Sequence, residues 1–471
     1  MRILLVTPLI QARNFQPLAF EYLSACLKKN GHEVRLADAS FRRRAAQEVA
    51  RFQPEMVGYH VISGTHAAML RLNRELKRRF SFTAVFGGPH ATFYPEMIHE
   101  EGVDGICLGE GEEAIVEFCT SLARGERGAK VRNFHVNVGG EVKKNPLRPL
   151  IQDLDALPLP DWSLSDSFDY CRNFPVKLFI ASRGCPYNCA FCTMANFHRL
   201  YPGQKVYRLR KAESFVAEIV ACRQRRDFAF AYLYDDTFGI DKQWLAAFGG
   251  LYREQVKKPF CVQLRADVVD EQSIKMLVAA GLAHATMGVE TGSETMRAKL
   301  LNKHLGDGQL IQAASLLRRY HVPLMTYNMI GLPGTTLDDD LETLRFNRRL
   351  KPAYAESYIY QPYPGTELGR RAVEDGLFSG DVDRIGRSLK RRIPLTGDKK
   401  KQRERLVHIF PLLTAQRTPD RLTRLLLALP LNTLYRLMDK IYDGYIRGVK
   451  IYRLSIPWRI MVRMFWHYLR F

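Results

Sequence analysis

Apolar and polar positions along the first 125 residues alternate between two rhythms. Short apolar runs at Arg2–Pro8, Glu33–Asp38, Met56–Ile62, Ala84–Gly87 and Gly105–Leu108 have the length and composition of buried strands. Between them, Leu18–Asn30, Thr65–Arg79 and Glu112–Arg124 place apolar residues at helical spacing, and the first of these stops at Gly31, a good helix terminator. Strands alternating with helices predict an α/β fold with an open, parallel, doubly wound sheet. Ligands of such sheets sit beyond the carboxyl ends of the strands. Three polar or glycine-rich segments follow strands there: Ser63-Gly64-Thr65, Gly87-Gly88-Pro89-His90 and Gly109-Glu110-Gly111-Glu112.

The rhythm breaks at residues 133–176, where Pro146, Pro149, Pro158, Pro160 and the acidic stretch Asp153–Asp155 predict an extended linker. It resumes at Val176–Ala181, Phe228–Tyr234, Pro259–Leu264, Ala285–Val289, Pro323–Ile330 and Ala355–Gln361, with helical stretches such as Ala212–Arg225 and Gly308–Tyr320 between them. Six strand–helix units predict a partial TIM-type (β/α)6 barrel, whose chemistry collects at the carboxyl ends of its strands. The strand pattern is lost after residue 385. The expected organisation is therefore a Rossmann- or flavodoxin-like domain (1–132), a linker (133–176), a barrel (177–385) and a separable basic helical region (386–471).

Composition changes this picture in one place. The 471 residues are 46% hydrophobic and 25% charged, an ordinary globular balance that excludes wholesale disorder. The net charge is +21, and residues 390–471 supply 14 of that surplus, with 19 Lys/Arg against 5 Asp/Glu. Any anionic partner therefore meets the C-terminal region. From Ile456 onward, Ile456, Ile460 and Met464 alternate with Arg459, Arg463 and Arg470 among interface-loving aromatics such as Trp458, Trp466 and Tyr468. That pattern fits an interfacial amphipathic helix on anionic lipid. A helix packed on the barrel with a basic outer side is the plainer alternative. No nucleic-acid module is recognisable, so no nucleic-acid partner is expected. No apolar run approaches the length of a membrane span. The expected location is the cytoplasm, with peripheral membrane contact.

The nine cysteines do not form a disulfide framework. Three are clustered as Cys185-Pro-Tyr-Asn-Cys189-Ala-Phe-Cys192, just after the first barrel strand. Three thiolates at this spacing suit an iron–sulfur cluster, and leave one iron of a cubane without a protein ligand. A zinc knuckle would need a fourth ligand, for which His198 is the nearest histidine.

This cysteine motif, with Phe191 before its last cysteine, resembles the radical S-adenosylmethionine (radical SAM) superfamily. Asp235-Asp236-Thr237-Phe238, Arg265-Ala266-Asp267, Gly288-Val289-Glu290-Thr291-Gly292-Ser293, Gly331-Leu332-Pro333-Gly334 and Gln361-Pro362-Tyr363-Pro364-Gly365 are similar to segments of its cobalamin-binding branch, class B methyltransferases included. The Gly87–His90 and Gly109–Glu112 segments resemble that branch's B12-binding domain. The resemblance spans residues 1–370.

The resemblance implies a [4Fe–4S] cluster on Cys185, Cys189 and Cys192, S-adenosylmethionine on its open iron, and reductive cleavage to methionine and a 5′-deoxyadenosyl radical, driven by an external one-electron reductant. It places Phe191 near the adenine, Asp236 near the ammonium, Arg265 near the methionine carboxylate, Glu290 near the ribose and Gly331 close to the cofactor backbone. It gives Ser63, Thr65, Gly87, Gly88, His90, Gly109, Glu110 and Gly111 to cobalamin. The Asp-x-His-x-x-Gly loop that supplies a cobalt ligand elsewhere is missing from residues 1–125. The expected function is methylation of an unactivated carbon in a small or lipid-like substrate. Radical cyclisation or rearrangement on the same scaffold is the alternative. A non-catalytic cobalamin- or lipid-surface-binding protein, and a tRNA-modifying radical enzyme, are weaker rivals, since three cluster thiols are kept and no RNA module is present.

Overall fold

A computed structural model describes residues 1–9 and 16–451. The chain divides into two compact units. Among the described residues, the first is Met1–Pro175 with the excursion Arg199–Lys205, and the second is Val176–His198 with 206–451.

The first unit is built on a seven-stranded sheet: β1 (Arg2–Thr7), β2 (Glu33–Asp38), β3 (Met56–His60), β4 (Thr83–Gly87), β5 (Gly105–Cys107), β6 (Phe134–Val138) and β7 (Glu141–Lys144). The order is β2-β1-β3-β4-β5-β6-β7, parallel through β5. Alternate residues of β1 serve opposite faces. Leu4 and Val6 join a core with Val57, Tyr59 and Phe86, while Ile3 and Leu5 join one with Val34, Leu36 and Val85. Burial on both faces is why these strands read as continuous apolar runs.

The expected linker at 133–176 is corrected in part. Residues 134–144 form the hairpin β6–β7, which adds antiparallel to β5. The turn at Gly139 and Gly140, both with positive φ, closes it. The prolines that suggested a linker begin only at Pro146.

The second unit holds six parallel strands in sequence order: β8 (Val176–Phe179), β11 (Phe230–Leu233), β12 (Phe260–Leu264), β13 (Leu282–Glu290), β14 (Leu324–Ile330) and β15 (Tyr354–Ile359). A short antiparallel pair, β9 (Ser182–Arg183) with β10 (Arg208–Leu209), stands after β8. Each crossover carries a helix, and β8 and β15 are the two edges of an open (β/α)6 sheet. Local signals set the helix ends. Asp241 caps Trp244 N–H, Asp270 caps Ser273 N–H, and Thr336 with Asp339 forms a capping box.

Residues 400–451 are largely helical but do not stand apart. Leu406, Val407, Phe410 and Leu413 of the helix Lys400–Ala415 share a core with Ile330, Leu341, Ala355 and Ile359. The helix thus covers the outer face of the last two barrel strands. The amphipathic reading of residues 456–471 lies outside the described residues.

Candidate functional site

All the motif segments of the second unit lie at the carboxyl ends of parallel strands, which brings them to one rim. The cysteine loop follows β8 and β9. Gly184 opens it with φ +77°, and a Cβ there would run into the Val206 carbonyl, so glycine is required. Backbone bonds then anchor the loop: Ala190 N–H donates to Leu301 O (2.8 Å), Leu368 N–H to Ala190 O (2.8 Å), and Asn302 Nδ2 to Asn188 O (2.7 Å).

All nine cysteines are free thiols. Cys189 is buried, and Cys185 and Cys192 are half-buried. Burial raises all three thiol pKa values, that of Cys192 to about 12. Each sulfur also has a polar neighbour. Cys185 Sγ lies 3.7 Å from Thr237 Oγ1, Cys192 Sγ accepts from Met194 N–H at 3.4 Å, and Cys189 Sγ accepts from an Arg265 guanidinium nitrogen at 3.7 Å. Lys303 and Arg265 both act to lower the Cys189 pKa against its burial.

This donor set fits an iron–sulfur cluster: three free sulfurs on one anchored loop, with donors and cations placed for negative charge on sulfur. Among the described residues no group of three or more His, Cys, Asp or Glu is arranged to hold a single metal ion. His198 uses Nε2 in a 2.9 Å contact with the Cys185 carbonyl. It therefore braces the loop by its backbone. Asn196, buried on the helix after Cys192, leaves both amide atoms unpaired, which is rare for buried polar groups.

The rim residues divide by their contacts. Arg265 donates from Nε to both Asp267 oxygens (3.0 Å each) and stacks over the Tyr187 ring at 3.8 Å, tying β12 to the cysteine loop. Glu290 ends β13 with φ +68°, beside a register shift, and pairs with Lys303 Nζ (2.9 Å). A non-glycine residue held there stores strain, which clusters at functional sites. Lys303 also donates to Gly288 O (2.7 Å). Asp236 is open to solvent, yet its surroundings raise its carboxyl pKa by desolvation. Its neighbour Asp235 is buried, accepts from the Ser182 N–H and hydroxyl, and is pushed up to about 6. Phe191 packs at the edge of the barrel's outer core, and Gly331 has φ +80° with its N–H donating to Asp340 (3.3 Å). Sequence reasoning missed Lys303 and Tyr187. Lys303 lies in no motif, and Tyr187 was passed over inside the cysteine loop.

In the first unit, Ser63, Thr65, Gly87, Gly88 and His90 come together at the ends of β3 and β4. Ser63 Oγ lies 2.9 Å from His90 Nδ1, and Thr65 Oγ1 donates to Ile62 O (3.0 Å). His90 is 1% exposed and stacks on His66 at 3.9 Å, so it supports the loop from within. Burial and His66 lower its pKa to about 3. Gly88 has φ +106°, and a Cβ would meet Val61 O at 2.8 Å and His60 Cδ2 at 2.9 Å. The His60 ring, half-exposed, is thus the histidine beside the glycines. Burial holds it neutral, with a pKa near 4. Gly109 has φ +69°, and a Cβ there would strike the Tyr201 hydroxyl, while Thr92 Oγ1 accepts from its N–H at 3.1 Å. Glu110 accepts from Ile151 N–H (2.9 Å), and Gly111 caps the helix Glu112–Ala123. The two glycines let neighbouring protein atoms approach closely, and Glu110 is committed to the fold.

Comparison with known proteins adds the context. The B12 binding domain family matches residues 12–119, and the radical SAM superfamily matches residues 179–346. The chain is 26% identical over 374 residues to an uncharacterized methyltransferase of Pyrococcus horikoshii, covering 77% of this chain and 79% of that protein. It is 26% identical over 375 residues to an anaerobic magnesium-protoporphyrin IX monomethyl ester cyclase of Rubrivivax gelatinosus, covering 76% and 66%. The fold is similar to that of the cobalamin-dependent S-adenosylmethionine radical enzyme OxsB, solved with aqua-cobalamin and S-adenosylmethionine bound. That match has a TM-score of 0.69 and 16% identity, and covers 95% of this chain and 73% of that one.

Proposed function

Because the chain joins a B12-binding domain to a radical SAM domain, and so belongs to the cobalamin-binding radical SAM enzymes, we propose that it methylates an unactivated carbon of a small or lipid-like molecule. The observation that carries this reading is the anchored loop of three free thiols at the barrel rim. Cys185, Cys189 and Cys192 would hold a [4Fe–4S] cluster, which when bound would supply one-electron cleavage of S-adenosylmethionine, and cobalamin would supply a methyl carrier.

The chain's own residues bind, orient and exclude water. Arg265 and Lys303 put positive charge beside Cys189 and brace the rim through Asp267 and Glu290. Asp236 faces solvent with an unshared carboxylate suited to the S-adenosylmethionine ammonium. Phe191 would stand near the adenine, and Gly331 would let the backbone approach the cofactor. Arg265 and Glu290 reach the methionine carboxylate and the ribose from within their ion pairs. Ser63, Thr65, Gly87, Gly88, Gly109 and Gly111 cradle cobalamin, with His90 and Glu110 holding the two loops in place. An external one-electron reductant completes the reaction. The free state of all nine thiols suits a reducing cytoplasm.

The cyclase relative supports a second reading, radical cyclisation without methyl transfer. The test is anaerobic reconstitution with iron, sulfide, cobalamin and a reductant, followed by product analysis with methyl-labelled S-adenosylmethionine. Methyl transfer yields S-adenosylhomocysteine along with 5′-deoxyadenosine. Formation of 5′-deoxyadenosine without any S-adenosylhomocysteine would replace methylation by cyclisation, and formation of neither would end both readings.

A further inference from the structure

Two helices near the end of the described chain leave much of their apolar surface outside. In the helix Asn432–Tyr445 the buried positions are Tyr435, Asp439 and Asp443. Asp439 accepts from Lys390 Nζ (2.9 Å) and pairs with His408 Nδ1 (3.0 Å). Asp443 accepts from Arg447 Nε (2.5 Å) and from the Tyr354 hydroxyl (3.1 Å). Arg447 in turn pairs with the buried Glu356 of β15. The helix therefore turns its acids inward. The helix Asp420–Ala428 buries Thr423 and Leu427, and its half-exposed Asp420 pairs with Arg345 (2.7 Å) and Arg348 (3.3 Å).

Other apolar residues of the two helices point outward. Leu422, Leu425, Leu434, Leu437, Ile441 and Tyr445 are 46 to 59% exposed. The exposed Leu429 and Leu431 carry this surface from one helix to the next. Leu434, Leu437, Ile441 and Tyr445 lie at helical spacing and form one stripe. Arg421 and Arg436 stand exposed among the leucines, while Arg424 pairs with the exposed Asp338 of the helix Leu337–Leu350. Exposed leucines scattered singly need no explanation, but a continuous stripe marks a contact surface. Among the described residues no helix is long and apolar enough to cross a membrane.

We propose that these two helices form a docking face for an anionic lipid surface, with the leucine stripe in the acyl boundary and the arginines at the headgroups. Charge complementarity selects this occupant. Of the three acids on these helices, Asp439 and Asp443 are buried in ion pairs and Asp420 is held by Arg345 and Arg348, while Arg421 and Arg436 stand exposed beside the leucines. Apolar and cationic side chains on one face are what an anionic interface takes up. The face is independent of the cysteine site and of the reaction assigned to it.

The test is co-sedimentation of the full-length reconstituted protein with phosphatidylglycerol-containing vesicles, against pure phosphatidylcholine vesicles, at low and high salt. The wild type is expected to bind the anionic vesicles at least about tenfold more strongly, and less at high salt. Leu437→Glu/Ile441→Glu, at exposed positions, is expected to weaken binding at least about tenfold with an unchanged melting temperature. Arg421→Gln/Arg436→Gln keeps the leucine stripe and is expected to flatten the salt dependence. A chain ending at Ile451 is expected to retain vesicle binding. The proposal is overturned if the glutamate variant binds like wild type, or if removal of residues 452–471 alone abolishes binding. It is equally overturned if the leucine stripe proves to pair two copies of the chain, seen as a dimer that the glutamate variant dissociates.

Discussion

Replacing Arg403 by Met tests whether the C-terminal helices are part of the barrel. Arg403 is 2% exposed on the helix Lys400–Ala415. It donates to Asp340 Oδ2 (2.6 Å), to Thr335 O (2.7 Å) and to Thr335 Oγ1 (2.6 Å). Asp340 is itself buried in the helix Leu337–Leu350, where desolvation pushes its pKa up to about 6 against the pull of Arg403. Methionine keeps the aliphatic stem and removes the charge. Breaking one side of a buried pair costs about 3–5 kcal/mol. At 2–4 °C per kcal/mol for a unit of this size, the barrel's melting temperature is expected to fall by roughly 6–20 °C.

The pH dependence identifies the cause. A carboxyl whose folded pKa lies above its unfolded value contributes fully below the unfolded value, and that contribution is lost as pH rises through the folded pKa. Without Arg403 the folded pKa of Asp340 climbs further, so the deficit of the variant is expected to be smaller near pH 5 than near pH 8. Adding Asp340→Leu is expected to restore much of the loss, since an apolar pair leaves no stranded charge. Thermal melts at both pH values check all three points. A deficit below about 1 kcal/mol, the same deficit at both pH values, or a double variant no better than the single would refute the reasoning.

Alanine at Cys185, Cys189 and Cys192 together is expected to remove reconstituted iron and S-adenosylmethionine cleavage while leaving the circular dichroism unchanged, because the loop is anchored by backbone bonds; iron analysis decides. Truncation after Ser388 is expected to give insoluble protein, because it strips Leu406, Phe410 and Leu413 from the core over β14 and β15; soluble, two-state-folding material would contradict this. Gly109→Ala is expected to lower both stability, by about 1–3 kcal/mol, and hydroxocobalamin retention, since the new Cβ meets Tyr201 in a left-handed backbone. His90 is a base whose folded pKa, about 3, lies below its ordinary value, so the stability it lends is present above about pH 6.5 and falls as pH drops below it; His90→Gln is expected to flatten that fall by up to about 1.4 kcal/mol per pH unit, read from melts between pH 4 and 7.

Much of the fold was legible in local pattern. Each of the eleven expected strands has its counterpart, because burial on both faces of a parallel sheet writes an unbroken apolar run whatever its neighbours are. The cysteine cluster was legible too, since a loop of eight residues must carry its thiols to one place. The rim contacts were not. Arg265 meets Asp267 within its own motif, but Lys303 reaches Glu290 and Gly288 from a segment that carries no signature, and that approach exists only once the chain after β13 has folded back beside it. The hairpin at 134–144 was missed because an edge strand half exposed to solvent lacks the continuous apolar run of its neighbours.

The last helices mark the limit most sharply. By periodicity alone, Leu434, Leu437, Ile441 and Tyr445 form the stripe that should face the core. The tertiary structure puts Asp439 and Asp443 there instead. Arg447 is one turn on from Asp443, but Lys390, His408 and Tyr354 come from separate stretches of chain, and only folding brings them to the two acids. A helix's apolar period is set by its own sequence, but which face is buried depends on the partners the fold supplies. Here those partners are charged, and the leucines are left to the surface.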